Sequence, residues 1–422
     1  MNEITDVKHY VARVTATARR ASLRLLSVDT DDKNRALLAM AEALQADRQS
    51  LLCENQKDLE AARQAEVSEA LIGRLALTEK TFNGMVQGLR DVAVLPDPVG
   101  QVMDEWTRPN GMCIRKVRQP IGVILVIYES RPSVTVDAAG LCLKSGNACI
   151  LRGGKESIHS NRAIAATLSK ALSAVGMPEG AVQVIATTDR SAVGALLKSR
   201  NEIDLVIPRG GKELISRVVT ESTIPVIKHY EGICHTYVDK DADLAMAQEV
   251  CFNAKVQRPG VCNAMETLLV QQDVAKKFLP PMLARLRAAG VEVRGCPRVR
   301  ELDPLVKDAT EEDWRTEYLD LILSVKIVDS LDEAIEHINL YGSKHSDSII
   351  TRNPEAARVF AQAVDSAAVF VNCSTRLHDG VEFGMGAEIG ISTDKIHARG
   401  PMALPELTTY KYVVEGNGQI RT

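Results

Sequence analysis

IGVILVIY, residues 121–128, decides the fold. A short, Val- and Ile-rich apolar run bounded by polar residues reads as a strand buried on both faces. Three similar runs follow it: ACILRG (148–153), VQVIAT (182–187) and DLVIPRG (204–210). Helical patterns lie between them, for example at 156–175 and 190–199. Such alternation predicts a parallel sheet covered on both faces, with nucleotides bound at the carboxyl ends of its strands.

Working outward, residues 1 to about 95 read as helices. Asp31 or Asp32 is the expected cap of a segment whose apolar face includes Leu37, Met40, Leu44 and Leu51. A second helical stretch, Ser68 to Leu95, ends at Pro96-Asp97-Pro98. Strand–helix alternation resumes after 260 with ETLLV (266–270), VEVRG (291–295), LILSVKIV (321–328), DSIIT (347–351) and AAVFVN (367–372). Asn353-Pro354 is a helix start. This is a second α/β domain, and CFNAKVQRPGVCN (251–263) is expected at the seam. ELTTYKYVVEG (406–416) alternates like an exposed strand, either one that pairs with a sheet in another subunit or an ordinary edge strand.

The 422 residues are too many for one ordinary core. A hydrophobic fraction of 45% with 25% charged residues is globular, and a net charge of −4 without a basic stripe argues against nucleic acid. The N-terminus lacks a secretory pattern, and no apolar run approaches bilayer length. Nine cysteines at irregular spacing, with no C-x-x-C pair, indicate reduced thiols and a cytoplasmic protein. The eight histidines form no H-E-x-x-H, so no metal is expected.

The chemistry-bearing candidates are few. Cys262, in QRPGVCNAMETLLV, follows Pro-Gly and precedes an apolar segment, where backbone N–H groups would favour a thiolate and hold an oxyanion, an inert buried thiol being the alternative. Arg258 adds positive charge. LRGGKES (151–157) and PRGGKEL (208–214) each follow a strand and precede a helix, making Gly210, Gly211, Arg152, Lys155, Arg209 and Lys212 candidates for a phosphate cradle, with solvated surface charge as the alternative. Glu129 and Arg131, in YESRP, suit either a zwitterionic substrate or an ion pair that fixes the turn. His345, in YGSKHSD, is placed to titrate near neutrality or to cap a helix.

These residues resemble the aldehyde dehydrogenase superfamily and, within it, the gamma-glutamyl phosphate reductase family. VDSLDEAIEHINLYGSKHSDSI (328–349) fits that family's signature, V-x5-A-[LIV]-x-H-I-x2-[HY]-[GS]-[ST]-x-H-[ST]-[DE]-x-I, at every defined position. PIGVILVIYESRP, KSGNACILRGGKES, VIPRGGKELI, QRPGVCNAMETLLV, VFVNCSTR, EFGMGAEIGIST and HARGPMALPELTTYKY extend the likeness from about residue 20 to the end.

The resemblance implies two Rossmann-type parallel-sheet domains plus a small β oligomerisation element. Residues 1–118 and 138–255 would bind NADPH, 256–380 would carry the catalytic thiol, and 119–137 with 400–422 would form the oligomerisation element, 381–399 being a returning segment. It implies NADPH-dependent reduction of L-glutamate 5-phosphate to L-glutamate 5-semialdehyde, through a thioester on Cys262, in the second step of proline biosynthesis. By position, Arg152 and Lys155 would contact the cofactor, Lys155 favouring NADPH over NADH, and Glu317 in TEYLDLIL would contact the nicotinamide ribose. Glu129, Arg131, Arg258, Ser374 and Arg376 are candidates for gripping the substrate. A homo-oligomer and contact with glutamate 5-kinase are the implied partners. Two departures stand out. HYEGICH (229–235) puts His229 near the Glu that activates water in oxidising relatives, and the superfamily's oxyanion Asn is replaced within Tyr128-Glu129-Ser130. An oxidising dehydrogenase for another carbonyl, and a nucleotide-binding scaffold without catalysis, are the competing readings.

Overall fold

A computed structural model describes residues 6–421. The chain forms two compact units. One contains the chain up to Lys228, with Gly384–Gly390 and the residues from Met402 on; the other contains His229–Phe383 and Ile391–Pro401. The boundary therefore falls at 228/229, not at the expected 255/256. The cause is the strand Cys234–Val238, which hydrogen-bonds into the second sheet between Met265–Gln271 and Ser346–Ile350.

In the first unit four parallel strands lie in the order Val182–Val184, Ala148–Arg152, Val123–Tyr128, Leu205–Arg209. Every residue of Val123–Tyr128 is buried, as expected for a central strand. The chain enters at that strand, builds outward to one side, then crosses to Leu205–Arg209 on the other. The carboxyl ends of these two neighbours, where the order reverses, are where open α/β sheets usually bind ligands. Helices Ser133–Lys144 and Ile158–Ala174 pack against the sheet.

The helical N-terminal segment is more broken than its periodicity predicts. Asp29 is the true cap of Thr30–Ala46, accepting from Asp32 N at 2.8 Å, so Asp31 and Asp32 sit in the first turn and favour its positive end. Leu51 belongs to the next helix, Arg48–Gln64. The stretch 68–95 divides into Glu69–Leu75 and Glu79–Val94, where Thr78 caps the second by accepting from Thr81 N.

Residues 119–137 do not form a hairpin: Val123–Tyr128 inside them is an inner strand of the parallel sheet. Val102–Thr107 and Cys113–Pro120 form an antiparallel hairpin, and Thr408–Glu415 adds antiparallel to Cys113–Pro120 to complete a three-stranded sheet. Trp106, Tyr410, Tyr412 and Val414 are exposed on it.

The second unit holds a seven-stranded parallel sheet in the order Lys307–Asp308, Glu292–Gly295, Ile322–Val328, Met265–Gln271, Cys234–Val238, Ser346–Ile350, Ala368–Val371. Side chains alternate between its faces. Leu268 and Val270 join the core beneath Leu244–Val256 and Gln272–Ala288. Leu269, with Tyr237 and Ile349, joins the core beneath Leu331–Tyr341 and Pro354–Ala363. Asn353 caps the last helix as expected, with Pro354 in its first turn. No helix among the described residues is long and apolar enough to cross a membrane.

Candidate active site

Three adjacent strands of the second unit bring their amino ends together. Met265–Gln271 is preceded by the turn carrying Cys262, Cys234–Val238 by the segment carrying His229 and Gly232, and Ser346–Ile350 by His345. The pairing of Cys234 with Met265 and of His235 with Asp347 sets these ends level. As a result one potential ligand atom from each of His229, Cys262 and His345 lies within 4.8 Å of the others. The cluster sits on the edge opposite to the one where open α/β sheets usually bind ligands.

Cys262 is partly exposed, in a turn, as its local sequence predicts. Its carbonyl accepts the Cys234 thiol proton at 3.1 Å from below. Burial pushes the Cys234 thiol well up, with Asp347 and Cys262 adding to it, so Cys234 stays a neutral donor. Gly232 packs against the Cys262 backbone, where a β-carbon would collide with the Cys262 carbonyl. The Gly232 N–H donates to Glu317 Oε1 at 2.8 Å, so Glu317 braces the segment beside the thiol. Behind it Lys255 and Glu266 form a buried pair at 2.6 Å. Burial raises the Glu266 carboxyl to about 7 against the pull of Lys255, and Glu266 Oε1 accepts from Leu319 N at 3.1 Å.

The histidines are oriented by their neighbours. His229 Nδ1 lies 2.8 Å from Ile391 O; a carbonyl only accepts, so Nδ1 carries the proton and Nε2 the lone pair. His345 Nδ1 meets Ser346 Oγ at 2.7 Å, and that hydroxyl meets His378 Nδ1 at 2.7 Å. His345 is fully buried, and burial, then His229 and His378, hold its pKa well below the ordinary value. It therefore stays neutral at physiological pH, against the expectation of titration near neutrality. His378 is held down to about 4, chiefly by burial.

Two arginines border the thiol. Arg376 donates from Nε to Gln257 Oε1 at 2.9 Å and from a terminal nitrogen to Asn263 Oδ1. Burial lowers its pKa, the Arg258 charge lowers it further, and Cys262 opposes both. Arg376 thus lies within electrostatic reach of both Arg258 and Cys262. Ser374, by contrast, is committed to capping the turn Thr375–Leu377, accepting from Arg376 N at 3.3 Å.

In the first unit the Gly-rich turns are partly self-satisfied. Glu129 Oε2 accepts from Gly211 N at 3.0 Å, and a β-carbon on Gly210 would lie 2.5 Å from Glu129 Cδ. Glu129 is therefore a brace at the start of helix Lys212–Glu221, and Gly210 and Gly211 accommodate it. Arg131 is exposed on the same turn. In the other loop Glu156 accepts from Ser130 Oγ at 3.2 Å beside Gly154, and Lys155 is exposed at the first position of the short turn Lys155–Ser157. Arg152 contacts Gly153 O and Thr188 O. Burial depresses its guanidinium, Glu156 and Tyr128 oppose this, and Arg190 and Arg217 repel it. Arg217, paired with Glu221 at 2.7 Å, lines an open groove of about 550 Å³ together with Lys212, Glu213, Ser216 and Thr220. Tyr128 is buried on Thr135 at 2.6 Å, within the core.

Arg190, Arg217, Cys234, Gly232 and His378 escaped the sequence reading. Each sits in an unremarkable local context, and only the strand order brings it to a site.

The aldehyde dehydrogenase family pattern matches residues 5–313. The chain is 55% identical over 416 residues to gamma-glutamyl phosphate reductase of Thermodesulfovibrio yellowstonii, covering 99% of this chain and 100% of that protein. It is 56% identical over 404 residues to the Moorella thermoacetica protein of the same name, covering 96% and 97%. The crystal structure of gamma-glutamyl phosphate reductase from Thermotoga maritima superposes with a TM-score of 0.96 at 49% identity, covering 98% of this chain and 100% of that one. An acetylating aldehyde dehydrogenase from Geobacillus thermoglucosidasius, at 15% identity, a TM-score of 0.70 and complete coverage of both chains, shares the fold. The chain is an enzyme of the aldehyde dehydrogenase family and belongs, within it, to the gamma-glutamyl phosphate reductases.

Proposed function

We propose that the enzyme reduces L-glutamate 5-phosphate to L-glutamate 5-semialdehyde, releasing phosphate, in proline biosynthesis, with NADPH as the reductant and Cys262 as the carrier of a thioester. The observation that carries this reading is the thiol itself. Cys262 stands within reach of the Arg376 guanidinium, with one ligand atom of His229 and one of His345 within 4.8 Å. The names of the relatives point to the same substrate.

His229 Nε2 takes the thiol proton, and the thiolate attacks the acyl carbon. The C–O bond to phosphate breaks, His229 returns the proton to the departing phosphate, and Arg258 and Arg376 stabilise its charge. The nicotinamide cofactor, when bound, supplies a hydride. The resulting oxyanion on the Cys262 adduct collapses, expelling the thiolate as the C–S bond breaks and the aldehyde forms. A proton from solvent resets the thiol.

The residues of the first unit fit a phosphorylated dinucleotide. Arg190 and Arg217 each repel Arg152, and the groove that Arg217 lines carries Lys212 along with Glu213 and Glu221. A 2′-phosphate would relieve that repulsion, which favours NADPH over NADH. The exposed strand Thr408–Glu415 is the proposed contact with a second subunit.

Replacing Cys262 with Ala tests the central claim. We expect loss of phosphate-dependent oxidation of the semialdehyde, with NADPH binding retained. Turnover near that of the unaltered enzyme would overturn it.

A further inference from the structure

We propose that His229, Cys262 and His345 form a reversible binding site for a borderline-soft divalent cation, zinc above all, that caps the nucleophile. The absence of H-E-x-x-H from the sequence misses this site, because its donors come from three separate segments. Two imidazoles and a thiolate are the donor set that zinc prefers, with a fourth position left for water or another ligand. Their ligand atoms lie within 4.8 Å of one another, and tetrahedral zinc asks for donor separations of about 3.3–3.6 Å with bonds of about 2.0–2.3 Å. Side-chain rotations of a fraction of a turn close that gap.

The outer shell is already built. A zinc-bound histidine usually gives its other ring N–H to a carbonyl or another acceptor, which fixes the tautomer. His229 does so through Nδ1 to Ile391 O. His345 can do so through Nδ1 to Ser346 Oγ, whose own proton then goes to His378 Nδ1. That tautomer places the His345 lone pair on Nε2, a buried nitrogen that has no hydrogen-bond partner. A buried acceptor without a partner costs free energy, and a metal ion would satisfy it. His229 and Cys262 are both partly exposed, which gives the ion a way in from solvent. Oxygen-preferring cations such as magnesium and calcium do not match this donor set.

Binding breaks the Cys262 S–H bond, forms an S–metal bond and releases the proton to solvent. The thiolate is then no longer available to attack an acyl carbon. The inhibition rests on Cys262 being the nucleophile; the binding does not, so the two can fail separately.

The test uses the full-length enzyme and cobalt(II) as a spectroscopic stand-in for zinc. We expect one cobalt per chain, with a thiolate-to-metal charge-transfer band and the intense visible bands of a four-coordinate ion, displaced by zinc. Cys262→Ser should abolish the charge-transfer band, and His229→Gln and Ser346→Ala should weaken binding by about 10–100-fold. His229 is partly exposed, so its variant tests the site even where a change at His345 prevents folding. A weak six-coordinate spectrum, or cobalt binding unchanged in both Cys262→Ser and His229→Gln, overturns the site. Zinc should also block iodoacetamide labelling of Cys262 and stop turnover, both reversed by a chelator. Tight four-coordinate binding with full turnover would leave the site standing and overturn the nucleophilic role of Cys262.

Discussion

Gly232 lies so close to Cys262 that a β-carbon on it would collide with the Cys262 carbonyl oxygen, carbonyl carbon and α-carbon. Backbone, not a flexible side chain, is the obstacle, so relief requires moving the nucleophile's turn. Gly232→Ala should therefore lower kcat/KM by about 10²-fold, the scale expected for a misplacement near 1 Å, while cofactor binding changes little. Steady-state kinetics with a parallel NADPH titration check this. Unchanged kcat/KM in a folded variant would mean the turn is not positioned by this contact.

Arg258 is exposed and close enough to affect Arg376. Arg258→Ala should weaken the hold on phosphate by about 10-fold, in line with losing one charged hydrogen bond of about 1.5 kcal/mol. In the reverse direction the KM for phosphate should rise more than the KM for the semialdehyde. Equal changes in both would point to a general disturbance instead.

Arg217 shares the repulsion around Arg152. Removing it with Arg217→Ala should lower the preference for NADPH over NADH by about 10-fold, again about 1.5 kcal/mol for one charge-assisted contact. The diagnostic is the ratio of kcat/KM for the two cofactors. A variant that loses both equally would argue against a 2′-phosphate contact.

Asp313 anchors the loop before Glu317. Burial pushes its carboxyl up, but Thr310 N–H, Arg294, Tyr318 and the Thr310 hydroxyl outweigh this and hold it at about 2. A depressed folded pKa adds stability above the unfolded value near 3.8, and that stability is lost as pH falls toward 2. Asp313→Asn should cost about 2 kcal/mol at neutral pH, with the gap to the unaltered protein narrowing below pH 4. Urea denaturation at several pH values measures it, and a gap independent of pH would refute the assignment.

The strand Thr408–Glu415 exposes Tyr410, Tyr412 and Val414. Val414→Lys should shift the enzyme to a smaller species in sedimentation, because a charge on a pairing edge opposes strand addition. An unchanged sedimentation coefficient would place the subunit contact elsewhere.

The sequence by itself determined the α/β class and most of the strands, and through the family resemblance it singled out the thiol proposed here as the nucleophile. Buried parallel strands are continuous apolar runs, as IGVILVIY and LILSVKIV are, and a long mixed signature such as 328–349 is specific without any fold. Local patterns also located Asn353-Pro354. They failed where a local signal had rivals: Asp29, Asp31 and Asp32 compete for one cap, and Cys234–Val238 is a strand whose Cys, His, Thr and Tyr carry little apolar signature. Only the tertiary structure decided that Glu129 braces a helix start, that Ser374 caps a turn, and that His345 is buried and neutral. Only it brought His229 and His345 to Cys262. Their proximity comes from the register of three adjacent parallel strands, and register is a property of pairing between distant segments that no single segment encodes.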